Sequence, residues 1–261
     1  MDASLNGKVA VVTGAGSGIG KAAAIMLAEK GVRVGLFDMD TSALEKTAAE
    51  IETAGGTTVT AKVDVADSSQ LQQAYKQVLE KFGQLDIVFA NAGINGTLSP
   101  IEHLPEEDWD KTLGTNAKGT FLTVKFAIPY MKSNGGSVII TSSINGNRTF
   151  SGFGMSAYSA SKAAETAFGK MAALELSAYR IRVNVICPGG IETNIEKRTK
   201  KDEEHLAEVT IPKVFPKGQH PLKGKPGKPE DVASIVCFLA SDASGHMSGS
   251  VLYADGAETL L

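Results

Sequence analysis

In the run Tyr158-Ser159-Ala160-Ser161-Lys162, a phenol and an ammonium stand four residues apart near the start of a helix-like stretch. At that spacing both side chains lie on one helical face. A free phenol keeps its proton to about pH 10, but a cation within ~4–6 Å favours the phenolate. A tyrosine tuned in this way acts as a general acid or base. By itself such a pair occurs on many surface helices, so its weight comes from the residues around it.

A second group of residues suits a nucleotide. An apolar run passes into Thr13-Gly14-Ala15-Gly16-Ser17-Gly18-Ile19-Gly20, directly before a helical stretch. Glycines let the backbone turn sharply and approach a pyrophosphate, whose charge is favoured by the N–H groups and dipole of a helix N-terminus. The pattern is T-G-x-x-x-G-x-G; Ile19 takes the place of the last glycine of the commoner G-x-G-x-x-G. Some 20 residues on, where dinucleotide folds place an acid on the adenosine ribose, a second apolar run ends at Asp38. A carboxylate there accepts from both ribose hydroxyls and repels a 2′-phosphate, and neither Ser17 nor Met39 offers that phosphate a cation. The expected cofactor is NAD, favoured over NADP. Asp40 or Thr41 is better placed than Asp38 to cap the following helix.

These residues need a scaffold, and the rest of the chain predicts one. Strands are expected at Lys8–Thr13, Val32–Phe37, Thr58–Val63, Leu85–Ala90, Gly136–Thr141, Arg182–Ile186 and Ser250–Tyr253. Helices are expected at Ile19–Lys30, Thr41–Ala54, Ser68–Phe82, Glu106–Lys132, Ala157–Ala178 and Pro229–Ala240. Short valine- and isoleucine-rich runs alternating with longer amphipathic stretches predict βαβ units and an α/β, doubly wound parallel sheet, which binds ligands at its carboxyl edge. At 261 residues and 43% hydrophobic composition, one domain spanning 1–261 is expected. The rhythm breaks at Glu192–Lys228, where charge, proline and glycine take over; a long irregular insertion in a compact fold is usually functional or mobile. A net charge of −3 with dispersed signs offers no stripe for nucleic acid, and no apolar run reaches the length of a membrane span. With no signal-like N-terminus, a cytoplasmic location is expected. Cys187 and Cys237 lie singly in apolar stretches, as buried thiols do, and His103, His205, His220 and His246 lack metal-ligand spacing.

Taken together, these motifs resemble the short-chain dehydrogenase/reductase family of the single-domain type of about 250 residues, from Leu5 to Gly256. Its Rossmann-type sheet has seven strands. Beyond Thr13–Gly20 and Tyr158-x-x-x-Lys162, the resemblance includes Asp64-Val65, Asn91-Ala92-Gly93, Asn116 in Thr115-Asn116-Ala117-Lys118-Gly119, Ser142-Ser143-Ile144-Asn145-Gly146, and Pro188-Gly189-Gly190-Ile191-Glu192-Thr193. It implies that Tyr158 exchanges a proton with the substrate oxygen while a hydride moves between substrate carbon and nicotinamide. It further implies that Lys162 tunes Tyr158 and binds the nicotinamide ribose, that Ser143 holds the substrate oxygen, and that Asn116 anchors a proton-carrying water. Ser143 is preferred to Ser142 because it stands three residues before Gly146. By the same resemblance Gly14, Ser17, Gly18, Ile19 and Gly20 would meet the pyrophosphate, and Asp64 and Val65 the adenine. Asn91, Ala92 and Gly93 would line the cleft, with Asn91 also able to tie neighbouring strands. Pro188, Gly189, Ile191 and Thr193 would hold the nicotinamide end. The helices Glu106–Lys132 and Ala157–Ala178 pack between subunits in this family, which implies a homotetramer.

For substrate, Glu196–Lys228 occupies the place of the family's variable lid and carries nine Lys/Arg against five Asp/Glu. Such a field suits an anion, although a solvated loop has the same composition. Arg148 could grip a carboxylate or phosphate bidentately, or pair with an acid on its own surface. Asn95, Thr97, His103, Asn145 and Asn147 add polar groups, which suit a small polyol, sugar or hydroxy acid better than a steroid. An NADPH-linked 3-oxoacyl carrier-protein reductase and a catalytically idle dinucleotide-binding regulator are the alternatives. Asp38 weighs against the first; the presence of Asn116, Ser143, Tyr158 and Lys162 weighs against the second.

Overall fold

The apolar runs become strands buried on both faces. The computed structural model describes residues 3–212, 214–215 and 218–261. Its strands are Val9–Thr13 (β1), Arg33–Asp38 (β2), Thr58–Lys62 (β3), Ile87–Ala90 (β4), Thr97–Leu98 (β5), Gly136–Thr141 (β6), Ile181–Pro188 (β7), Lys200–Lys201 (β8) and Val251–Ala254 (β9). Seven of them form one parallel sheet in the order β3-β2-β1-β4-β6-β7-β9. Along β1, Val9 and Val11 enter one core while Ala10 and Val12 enter the other, so the strand reads as a continuous apolar run. β4 starts at Ile87 rather than Leu85, and just before it the Asp86 carboxylate takes the Val9 N–H at 2.8 Å.

The helices are Gly18–Glu29 (α1), Thr41–Thr53 (α2), Ser68–Phe82 (α3), Glu106–Leu113 (α4), Gly119–Met131 (α5), Ser156–Leu176 (α6), Glu203–Val209 (α7) and Pro229–Ala240 (α8). Local chemistry sets their ends. The Asp67 carboxylate accepts from the Ser69 and Gln70 N–H groups to open α3, and Gly83, at φ 77°, closes it. α1, α2 and α8 supply one core; α3, α5 and α6 supply the other. The strand order reverses between β1 and β4, which opens a crevice at their carboxyl ends.

Two expectations need correction. The single helix over Glu106–Lys132 is interrupted by a π-type turn at Gly114–Lys118, where the Gly119 N–H reaches back to the Gly114 carbonyl. Such turns sit frequently at functional sites. Glu192–Lys228 is also less irregular than its composition implies: β8 pairs with β5 in a small second sheet, and α7 opens with the Asp202 carboxylate accepting from the His205 N–H. Lys213 and Lys217, counted among the basic groups of this segment, lie outside the described residues, as do Pro216, Met1 and Asp2.

Candidate active site

β1 runs directly into the glycine loop, which the Ala15 N–H ties to the Phe37 carbonyl. Gly14 and Gly18 have φ of 68° and 53°, where side chains are disfavoured. A Cβ on Gly20 would collide with the Gly14 carbonyl, so loop and helix approach closely only because both are bare. Ser17 makes no side-chain cap to α1, which leaves the first N–H groups of that helix for an anion. At the tip of β2, Asp38 is fixed at both oxygens: Gly16 N–H donates to Oδ2 at 2.9 Å and Asp40 N–H to Oδ1 at 3.0 Å. Asp40 itself caps α2 by accepting from the Ala43 N–H. A dinucleotide, pyrophosphate on the loop and ribose at Asp38, fits these residues.

The Val63 N–H donates to the Asp38 carbonyl, which brings Asp64 and Val65 alongside. The Asp64 carboxylate accepts from the Ala66 N–H, and Val65 is buried over Gly119. Asn91 is a tie between strands: its amide donates to the Thr13 carbonyl and accepts from the Thr141 hydroxyl. The Asn91 and Ala92 N–H groups both reach the Thr13 hydroxyl, which fixes the turn leading to Gly93. At the far end of the cleft, a Cβ on Gly18 would stand 3.2 Å from Thr193 Cγ2, so the loop after β7 closes over the glycine loop. Pro188 ends β7, Gly189 N–H donates to the Ala254 carbonyl, and Ile191 bridges to Gly227. Glu258, which belongs to no motif, accepts from the Gly190 N–H at Oε2, at 2.8 Å.

Ser143, Asn116, Tyr158 and Lys162 gather around α6. Gly146 packs against the backbone of Ala163 and Lys162 so tightly that a Cβ would stand 2.6 Å from both, which seats the Ser143–Gly146 turn on the helix. The Lys162 ammonium, with its side chain 4% exposed, lies 5.7 Å from the Tyr158 ring centre and donates to the Thr141 carbonyl at 2.9 Å. A Cβ on Gly93 would stand 3.2 Å from Asn116 Oδ1 and 3.4 Å from Lys162 Nζ, so three separate motifs meet there. The Asn116 amide is fully committed: it donates to the Ile94 carbonyl and the Ser161 hydroxyl and accepts from the Ile94 N–H.

The two serines differ sharply. Ser142 donates to the Lys162 carbonyl at 2.7 Å and accepts from Thr166 at 2.8 Å, so its hydroxyl is consumed by the fold. Ser143 accepts from the Asn145 N–H, and its hydroxyl proton finds no acceptor among the described residues. That proton is available to a substrate oxygen.

A buried acid outside every motif also lies here. Glu165, with its side chain 1% exposed, places Oε2 at 2.9 Å from Lys162 Nζ and accepts from the Thr120 hydroxyl at Oε1. The two side chains form a buried ion pair. Burial pulls the Lys162 ammonium toward neutrality, but Glu165 and Tyr158 together outweigh it and hold the group above the usual lysine range. Burial pushes the Glu165 carboxyl up, with Lys162 and Thr120 opposing.

The segment Glu196–Lys228 is tied to the rest of the site by its first half. Asn95 donates to the Thr199 hydroxyl, Ser99 to the Asp202 carboxylate, and the rings of His103 and His205, far apart in sequence, stack at 3.7 Å. Asn95 is thus a tether to this segment. Arg198 reaches within 3.6 Å of Asp40, which puts a cation near the adenosine end that sequence spacing did not reveal. Arg148 adopts neither arrangement weighed from sequence: its guanidinium stacks 3.9 Å over the Tyr253 ring. The Asn145 amide lies 4.0 Å from the Met155 sulfur.

A glycine-rich loop at a helix N-terminus, an acid at the tip of β2, and Ser143, Tyr158 and Lys162 around α6, on a doubly wound sheet, mark a nucleotide-binding oxidoreductase. The chain belongs to the short-chain dehydrogenase/reductase family, of the single-domain type of about 250 residues, whose members act on CH–OH groups. A family described as Enoyl-(Acyl carrier protein) reductase matches residues 14–257. A 3-ketoacyl-ACP reductase structure from Sinorhizobium meliloti is 46% identical, with a TM-score of 0.92 over 97% of this chain and 99% of its own. Cyclohexanol dehydrogenase from an Acinetobacter species is 34% identical over 99% of this chain and 98% of that protein. A 3-ketoacyl-(acyl-carrier-protein) reductase from Brucella melitensis, solved with NADH, is 29% identical, with a TM-score of 0.86 over 98% of this chain and 100% of its own. Among the described residues, no helix is long and apolar enough to cross a membrane.

Proposed function

We propose that the protein interconverts a small secondary alcohol, of the polyol, sugar or hydroxy-acid type, and its ketone, using NAD(H). The observation that carries this reading is the fixed Asp38 carboxylate at one end of the crevice with the uncommitted Ser143 hydroxyl beside α6 at the other. The bound dinucleotide supplies or accepts the hydride. Ser143 donates to the substrate oxygen, a bond that strengthens as negative charge develops there. Tyr158 gives that oxygen its proton during reduction and takes it during oxidation. Lys162 holds the nicotinamide ribose and favours the tyrosine anion. The Asn116 backbone passes the proton outward through water. Gly14, Ser17, Gly18, Ile19 and Gly20 hold the pyrophosphate. Asp64, Val65, Asn91, Ala92 and Gly93 line the adenosine side, and Pro188, Gly189, Ile191 and Thr193 the nicotinamide side. Arg148 and Asn145 border the substrate entrance. Phe121 on α5, with Met171 and Leu174 on α6, leaves apolar surface exposed, which suits the packing of subunits into a homotetramer.

The cofactor preference is argued from charge. Arg198 stands near the adenosine end, but Asp40 already neutralises it and Asp38 faces the ribose unpaired by any cation among the described residues. Asp38→Ala is expected to narrow the NADH-over-NADPH preference by about 10–100-fold, the worth of charge-assisted hydrogen bonds, since Arg198 could then serve a 2′-phosphate. Paired NADH and NADPH titrations measure it; an unchanged ratio rules out the ribose assignment.

A second reading, reduction of a 3-oxoacyl carrier-protein thioester, is favoured by the 46% identity to a 3-ketoacyl-ACP reductase. The Brucella protein shows that this name and NADH occur together, so Asp38 does not exclude it. Assaying NADH oxidation with acetoacetyl carrier protein beside NAD⁺ reduction with polyols, sugars, hydroxy acids and cyclohexanol separates the readings. Turnover confined to the thioester overturns the first.

A further inference from the structure

We propose that Glu165 is a positioning residue of this site: its buried carboxylate holds the Lys162 ammonium against helix α5 and keeps that lysine charged, which sets the alkaline limit of the reaction. The inference rests on the role given to Lys162 above, but it concerns a different residue and a different element of the fold.

The geometry is specific. Glu165 lies one helical turn beyond Lys162 on α6, and the two polar heads meet in a space closed by α5, β6 and the π-type turn. The ammonium donates to the Thr141 carbonyl from β6, while Thr120 of α5 fixes the carboxylate at its other oxygen. Among the described residues Lys162 Nζ is the partner of Oε2.

A purely structural contact between α5 and α6 has no need of charge. Burying an ion pair costs desolvation, and apolar residues of similar volume often stabilise a fold as well or better. What the carboxylate adds is electrostatic. Lys162 is buried and would lose its proton more readily if it were alone; Glu165 opposes that loss. The sign follows directly: removing a negative charge beside a cation makes its proton easier to lose, so Lys162 must titrate at lower pH without Glu165.

Few other charges reach the pair. Tyr158 acts on it from α6 and Cys187 from β7, where burial pushes the thiol up and leaves it neutral. From β6 and α5 come the uncharged Thr141 carbonyl and Thr120 hydroxyl, and from the π-type turn the Asn116 amide. On the flanking elements, Asp108 of α4 accepts from Thr97, and Lys111, Lys118, Lys125, Lys170 and Glu175 are exposed.

The test is a titration of Lys162 in the protein without cofactor, by NMR of ¹³C-labelled lysine, with the resonance assigned by its absence from Lys162→Arg. Glu165→Gln, which keeps the shape and can still accept from Thr120, is expected to titrate about one pH unit or more below the native protein. The alkaline limb of turnover, or of NADH affinity, should move the same way. Glu165→Asp should restore most of the shift, because it returns the charge. Glu165→Met, similar in length and without polar atoms, should move Lys162 in the same direction and serves if the amide variant does not fold. An unchanged Lys162 titration in the charge-free variants overturns the inference. Failure of the underlying reading looks different: Tyr158→Phe would then turn over normally, whatever Lys162 does.

Discussion

Tyr158→Phe is expected to lower hydride transfer by about 10²–10⁴-fold while NADH still binds. The substitution removes one oxygen and leaves the ring in place on α6. Lys162 does not depend on that oxygen for its position, since the Thr141 carbonyl and Glu165 hold it from the other side. The glycine loop and Asp38 lie on separate elements and keep their own hydrogen bonds. The variant therefore isolates proton transfer from binding. Fluorescence titration with NADH and single-turnover measurement of NADH oxidation report the two quantities separately. Undiminished turnover would mean that another group delivers the proton and would overturn the mechanism. Loss of NADH binding in parallel with turnover would instead make the phenol a part of the binding site.

The motifs that were legible in the sequence are those whose chemistry is local. A glycine loop needs only its neighbours to turn, and Asp38 needs only the end of β2 to be brought beside it by parallel pairing in register with β1. The seven-stranded sheet was equally readable, because strands buried on both faces cannot hide their apolar runs. The parts that escaped are set by contacts between distant segments. Glu165 reads as one more acid on the solvated face of a helix until Thr120, 45 residues earlier, covers it. The π-type turn leaves only Gly114 and Gly119 as a trace, and either glycine alone is unremarkable within a helix. β8 consists of two lysines, whose pairing with Thr97 and Leu98 no hydrophobic period announces. Arg198 and Arg148 show the same limit from the other side. Their charge was visible, but not that one would lie at Asp40 and the other on Tyr253.

The adjacent serines give the sharpest contrast: the Ser142 hydroxyl is tied into the fold, and the Ser143 hydroxyl is the one proposed to meet the substrate. Ser142→Ala should cost about 1–3 kcal/mol of stability, because it strips partners from the buried Lys162 carbonyl and Thr166 hydroxyl. Its effect on turnover should be small and should track the loss of folded protein. Ser143→Ala should cost no more than about 0.5–1.5 kcal/mol, the worth of its single bond from the Asn145 N–H. Its turnover should fall by about 10²–10³-fold, as when a donor to a developing oxyanion is removed. The loss should appear in kcat more than in KM, because the bond tightens only as charge moves onto the substrate oxygen. Thermal unfolding and steady-state kinetics on the two variants decide the matter together. If Ser142→Ala keeps its stability and loses turnover while Ser143→Ala does the reverse, the roles are exchanged, and the hydroxyl whose proton finds no acceptor among the described residues is not the one that meets the substrate.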